Sequence, residues 1–335
     1  MSWVRKTVGC GVRRRAQTGT VRGKASDAVM KEATVKLGET TDVSVTLVVD
    51  NYADIFAGSK AGVERYGLRG EPLLAEHGFS VLVRLHAEEH EVLLDTGYSK
   101  VALLHNLSRL AIEPEGVDEV VISHGHPDHT GSVVEFLRSR AERTPVVAHP
   151  HAFVERWRVL ADGSREGVCQ TSAEPWEQAG ADIVYVEGPR QLANGCLVTG
   201  SVPRRTEFEK VTGRAFRTEE GAVAPDELPD DQAMVLNVRG KGLVVITGCA
   251  HAGVVNTVLH AQEISGVRTV HAVIGGFHLA GASAERLART MAELTAVGPR
   301  LIVPAHCTGF EATCRFAAEM PEQFVLGGVG TTLKF

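Results

Sequence analysis

The chain has 335 residues, 44% hydrophobic and 23% charged, an ordinary globular composition that excludes a coiled coil and a chain disordered throughout. Its length is about twice a ~150-residue single-domain prior, so one large layered domain or two modest ones fit. The net charge of −6 hides an asymmetry: residues 1–40 hold nine Lys/Arg against three Asp/Glu, or +6, leaving 26 basic and 38 acidic residues, or −12, in the rest. An acidic body lacks the basic footprint that neutralises phosphates along a polymer, so neither nucleic acid nor an anionic membrane is expected as a partner. No run approaches the ~18 apolar residues of a membrane span, and the N-terminus lacks the apolar region of a signal peptide, so a cytoplasmic location is expected. Six cysteines with no C-x-x-C pair spell neither a disulfide framework nor a structural zinc knuckle and suit a reducing compartment.

Residues 1–40 are rich in Arg, Gly, Ser and Thr with little apolar periodicity, which predicts a disordered basic extension and an ordered domain over 41–335. Order begins with the β-branched run Val43–Val49, and further strands are predicted over Phe79–Leu85, Glu91–Leu94, Val117–Ile122 and Val146–Ala148. Later strands fit Ile183–Val186, Leu197–Thr199, Met234–Val238, Leu243–Thr247, Val270–Ile274 and Leu301–Pro304. Helical spacing marks Val133–Leu137, Val254–Ile264 and Ala284–Thr295. Strands separated by helices predict a layered α/β (α+β) architecture. Asp162–Trp176 and Thr206–Asp231 are rich in Gly, Pro and charge, and are expected to be long loops or lids over the core.

The densest chemistry lies in Ser123-His124-Gly125-His126-Pro127-Asp128-His129-Thr130-Gly131, directly after the strand that ends at Ile122. Alternate residues of an extended loop point the same way, so His124 and His126 can share one metal. A tighter turn then supplies Asp128 and His129 to a second. A cluster of imidazole and carboxylate ligands of this kind suits zinc, iron or manganese. His251 and His306 both follow apolar strands and precede Gly-containing turns, where they can complete the two ligand sets, His251 with His124 and His126, His306 with Asp128 and His129.

The H-x-H-x-D-H pattern of His124, His126, Asp128 and His129 resembles the metallo-β-lactamase superfamily, which implies an αββα sandwich with a one- or two-metal site at one end of its sheets. The blocks Ala75-Glu76-His77-Gly78, Asp95-Thr96-Gly97, Pro203-Arg204, Asp230-Asp231-Gln232-Ala233, Gly248-Cys249-Ala250-His251, Gly276-Phe277-His278 and Ala305-His306-Cys307 are similar to one subfamily. That subfamily is the 7,8-dihydropterin-6-methyl-4-(β-D-ribofuranosyl)aminobenzene-5′-phosphate synthase-like proteins, and the resemblance runs over about residues 43–335. Pro127 stands where the pattern leads one to expect an aromatic residue. Cys249 stands where the superfamily usually places a bridging aspartate; it is either a thiolate ligand, which would favour zinc, or a small buried cysteine beside the site. The resemblance makes Asp95 the buried carboxylate that orients the metal loop by hydrogen bonds. His278, among glycines, is a candidate for substrate contact or acid catalysis, with a packed loop histidine as the alternative.

One or two divalent metals are therefore expected, zinc first. Such ions activate water for hydrolysis and take charge from a leaving oxygen, which serves equally the departure of diphosphate that the subfamily's reaction implies. The primary reading is a metal-dependent enzyme on a phosphorylated, pterin-like small molecule, with Asp128 and His278 as catalytic candidates. A lactone or β-lactam hydrolase on the same scaffold is the second, and a noncatalytic metal-binding scaffold the third. Arg204 is the candidate phosphate contact, since a guanidinium offers two parallel hydrogen bonds; a surface ion pair with Glu207 or Glu209 is its alternative.

Overall fold

A computed structural model describes residues 35–67, 70–210, 214–218 and 221–335. Most of the extension expected over residues 1–40 lies outside these, and its last part, Val35–Thr40, is packed. Val35 N donates to Ile264 O, Thr40 N donates to Asn237 O and Leu37 O accepts from Gly195 N, each at 2.9 Å, while the Leu37 side chain is buried. The ordered body therefore begins earlier than composition suggests. The reason is tertiary: Leu37 finds an apolar partner surface that only the folded chain provides.

Two sheets face each other. The first has eight strands in the order β2 (Val63–Arg65), β18 (Thr331–Lys334), β1 (Val43–Val49), β3 (Ser80–Leu85), β4 (His90–Leu94), β5 (Glu119–Val121), β6 (Thr144–Ala148) and β9 (Ala181–Tyr185). The second runs β10 (Arg190–Ala193), β11 (Cys196–Val198), β14 (Ala233–Val238), β15 (Gly242–Thr247), β16 (Val270–Gly276) and β17 (Leu301–Ala305). Alternation along the strands sorts their side chains. Val45, Val81, Val83 and Leu94 of the first sheet meet Met234, Leu236, Val244 and Ile274 of the second in the central core.

The opposite faces are covered by helices. Val48, Leu82, Leu93 and Val120 pack under α1 (Ala102–Arg109), α3 (Val133–Arg138) and α4 (Ala173–Ala179). Val235, Val245, Val273 and Ile302 pack under α5 (Val254–Ser265), α6 (Ala284–Val297) and α7 (Phe310–Glu319). The result is the expected αββα sandwich. Local signals set the helix bounds: Ser283 caps α6 by accepting from Arg286 N, and Gly298, with φ of +67°, ends it.

The stretches expected as loops form a third element instead. Strands β7 (Arg156–Val159), β8 (Arg165–Cys169), β12 (Arg214–Arg217) and β13 (Val223–Pro225) make a small antiparallel sheet in the order β13-β12-β7-β8, whose strand β7 forms one wall of the cavity described below. Among the described residues no helix is long and apolar enough to cross a membrane.

Candidate metal centre

Strand β5 delivers the chain at Ile122, and the loop that follows is held from several sides. Asp95, fully buried at the end of β4 with φ of +59°, accepts from Ser123 N and Ser123 Oγ at 2.7 Å and lies 2.6 Å from His129 Nδ1. These bonds tie Asp95 to both ends of the loop. Asp230 Oδ2 accepts from Gly125 N at 2.9 Å, and Gln232 N donates to Ser123 O at 3.0 Å. Pro127 opens the one-turn helix α2 (Pro127–Thr130), where a missing N–H costs nothing.

Two groups of ligand atoms result. His124 Nε2 and His126 Nδ1 are 2.9 Å apart, and His251 Nε2 lies 3.1 and 3.2 Å from them. Three imidazole nitrogens this close cannot all point hydrogens at one another, and burial together with His129, His126 and His251 holds His124 well below the usual imidazole range. Imidazole nitrogens converging on one point are what a divalent ion with ~2.0–2.1 Å bonds requires.

In the second group, His129 Nε2 is 3.1 Å from Cys249 Sγ and 3.6 Å from Asp128 Oδ2, and His306 Nε2 is 3.2 Å from Asp128 Oδ2. His306 Nε2, though buried, has no aligned hydrogen-bond partner. Burial raises the Asp128 carboxyl, but His129, His306 and His126 outweigh it and hold it well below the usual range. Burial lowers His129, but Asp95 and Asp128 outweigh it and raise it to about 9. This charge balance of a carboxylate among imidazoles is the one a cation would complete.

Cys249 stands between the groups: its sulfur lies within 4.8 Å of the ligand atoms of Asp128, His129 and His306 and, in a second set, of His124 and His251. Burial and the neighbouring Cys307 push its thiol up; a coordinated cation reverses that, because a coordinating thiol gives up its proton. His278 closes the same side, its ring 4.2 Å from that of His251 and its Nδ1 buried without a partner. Asp95, Ala250, His278 and His306 all have positive φ, a strained conformation for residues with a Cβ, here gathered around one site.

The groups open into a cavity of about 550 Å³. Its wall includes residues that sequence reasoning gave no role: Asn51, His77 and Tyr98, and Arg156, Trp157 and Arg158 of β7. Asn51 Oδ1 faces His306 Nδ1 at 3.2 Å. Arg156, 3% exposed, lies 3.1 Å from Asp230 and 3.6 Å from Asp226. No spacing in the sequence pairs residue 156 with the metal loop, so only the fold could bring it there. Asp230 and Asp231 were legible as a block but not as a clamp: Asp231 Oδ2 accepts from Ala252 N at 2.8 Å, fixing the His251 turn as Asp230 fixes Gly125.

Arg204 is not brought to this cavity. It lines a separate one with Arg205 and Lys210. Of the two glutamates considered as ion-pair partners, Glu209 instead caps α5, accepting from Val255 N and Asn256 N.

The sequence profile described as the metallo-beta-lactamase superfamily matches residues 74–306. The chain belongs to the metallo-β-lactamase superfamily. It is 32% identical over 278 residues, 81% of this chain and 94% of the relative, to the 7,8-dihydropterin-6-methyl-4-(beta-D-ribofuranosyl)-aminobenzene-5′-phosphate synthase of Methanocaldococcus jannaschii. An uncharacterized protein of that organism is 32% identical over 256 residues, 76% of this chain and 92% of its own. Among solved structures, a metal-dependent hydrolase of the β-lactamase superfamily matches with TM-score 0.71 and 25% identity over 88% of this chain and 99% of that one. This metallo-β-lactamase-fold chain is thus an enzyme, with a curated synthase and a hydrolase among the proteins it resembles.

Proposed function

We propose that the enzyme holds two divalent ions and acts on a phosphorylated, pterin-like small molecule as a group transferase. His124, His126 and His251 hold one ion, Asp128, His129 and His306 the other, and Cys249 lies between them, its thiolate favouring zinc. The observation that carries this reading is the meeting of both ligand groups at Cys249, at the base of a cavity walled by Arg156 and Arg158. Bound ions supply Lewis-acid stabilisation of a departing oxygen. The residues of the chain do the rest. Arg158, 63% exposed on its side chain and 3.4 Å from Glu166, receives a phosphate at the cavity rim, and Arg156, paired with Asp226 and Asp230, anchors the strand that carries it.

The similarity to a synthase whose product joins a dihydropterin methyl carbon to an aminobenzene group supports a specific step. A C–N bond forms from the aromatic amine to that carbon while the C–O bond to a (di)phosphate breaks, the electron pair leaving with oxygen. The amine proton passes to His278, whose Nδ1 is unpartnered, and from there to solvent. Hydrolysis is the second reading, favoured by the similarity to a metal-dependent hydrolase, with water in place of the amine.

Purified holoprotein incubated with a dihydropterin methyl diphosphate and 4-(β-D-ribofuranosyl)aminobenzene 5′-phosphate tests the choice, beside a panel of phosphoesters, lactones and β-lactams. Condensation is expected. Turnover of lactones or β-lactams alone would overturn the reading.

A further inference from the structure

A second cavity, of about 340 Å³, adjoins the metal-centre cavity and shares Asn51, His306 and Gly309 with it. We infer that it is a subsite for a planar aromatic co-substrate, so that two organic molecules meet across His306; the inference rests on the transferase reading. Three observations support it.

The first is chemistry. Asp128, Asp226, Arg156 and Arg158 line the metal-centre cavity, whereas among the described residues no Asp, Glu, Lys or Arg lines the second one. With the proposed ions bound, a phosphate is directed to the first and an uncharged ring to the second. The second is the display of aromatic surface. Tyr52 is 42% and Phe310 72% exposed, and both line this one cavity together with Leu326. Single exposed apolar residues need no explanation, but two aromatic rings on one cavity that continues into a metal site offer the stacking faces that aromatic ligands use. The third is how Phe310 is held. Gly309 has φ of +81°, and a Cβ there would lie 2.8 Å from Ala280 Cβ. Glycine thus lets the chain turn tightly against Ala280 and start α7 at Phe310.

In hydrolysis the second reactant is water, which needs no aromatic surface. Transfer to an aromatic amine needs a place for the ring, adjacent to the centre and accessible from solvent. The second cavity meets both conditions.

Calorimetric binding to the zinc-loaded full chain tests the inference with 4-(β-D-ribofuranosyl)aminobenzene 5′-phosphate as probe and ribose 5-phosphate as the ring-free control. The wild type is expected to prefer the ring compound. Phe310→Ala and Tyr52→Ala are each expected to weaken it about tenfold, the scale of one lost aromatic contact, with Phe310→Tyr restoring affinity and zinc content unchanged throughout. Equal affinity of the wild type for the two probes, or alanine variants that bind the ring compound as tightly as the wild type, would overturn the subsite. The turnover assay is read separately. Ring-selective binding that these variants abolish, without condensation, would remove the transferase step and leave the subsite standing.

Discussion

Gly125 separates two of the converging histidines, and the fold leaves no room for a side chain there: a Cβ would sit 2.0 Å from Ala152 O. Gly125→Ala should therefore move His124 and His126 apart and lower metal content as far as loss of a ligand does, which elemental analysis of the purified variant measures. Asp231→Ala should weaken metal binding without touching a ligand. It leaves the buried Ala252 N–H unpaired, at a cost of about 1–3 kcal/mol, and frees the turn that carries His251; competitive chelator titration reads the effect. Arg158→Ala is expected to raise KM for a phosphorylated substrate about tenfold or more, as for a lost charged hydrogen bond. Arg204→Ala should leave that KM within about twofold, since Arg204 opens on another cavity. A large Arg204 effect with a silent Arg158 would reverse the assignment. The ligand loop was legible because its residues are neighbours in sequence, whereas Arg158 carries no local mark of the role proposed for it.

At the scale of elements, α5 begins three residues after His251, and its first turn is capped from a distant segment by Glu209. Two orphan N–H groups accepted by a carboxylate at a helix N-terminus make a strong cap. Glu209→Ala is expected to cost about 1–2 kcal/mol, seen as a lower Tm. Strands β4 and β5 carry a pH-dependent link: His90 Nε2 lies 3.0 Å from Glu119 and His90 Nδ1 3.3 Å from Asp118. The bond to Glu119 raises His90 against the lowering by burial, and Asp118 adds to the rise. A histidine raised in the folded state stabilises fully below its unfolded value of about 6.5 and loses that contribution as pH climbs through the raised folded value. The Tm gap between wild type and His90→Gln should thus be widest below about pH 6.5 and narrow as pH rises above it. Helices α3, α5 and α6 were legible from apolar period, whereas α1, α4 and α7 were not read from it. The small sheet was not, because its strands have three to five residues, several of them arginine, and pair β7 with β12 across the register Arg158 to Arg214.

At the scale of the whole molecule, Val35–Thr40 runs along the second sheet and the end of α5, with Asn237 Nδ2 donating to Gly38 O at 2.6 Å. A chain beginning at Thr41 loses those bonds and the buried Leu37 side chain, so its Tm should fall below that of a chain beginning at Ala33. Equal melting would show that the strap contributes nothing. Because the strap touches no metal-centre residue, metal content should be the same in both.

By itself, the sequence determined the layered α/β order, most strands of the two sheets, the helices α3, α5 and α6 and the density of ligands after β5, because these depend on apolar period and on residues close together along the chain; the αββα sandwich came from the resemblance carried by the motifs. Tertiary structure alone decided that β7 walls the cavity with Arg156 and Arg158 and that Arg204 lines a separate cavity. The small sheet and the Val35–Thr40 strap were likewise its decision. Each of these depends on which distant segments close against one another, and a periodicity read along one segment contains nothing about the segment it will meet.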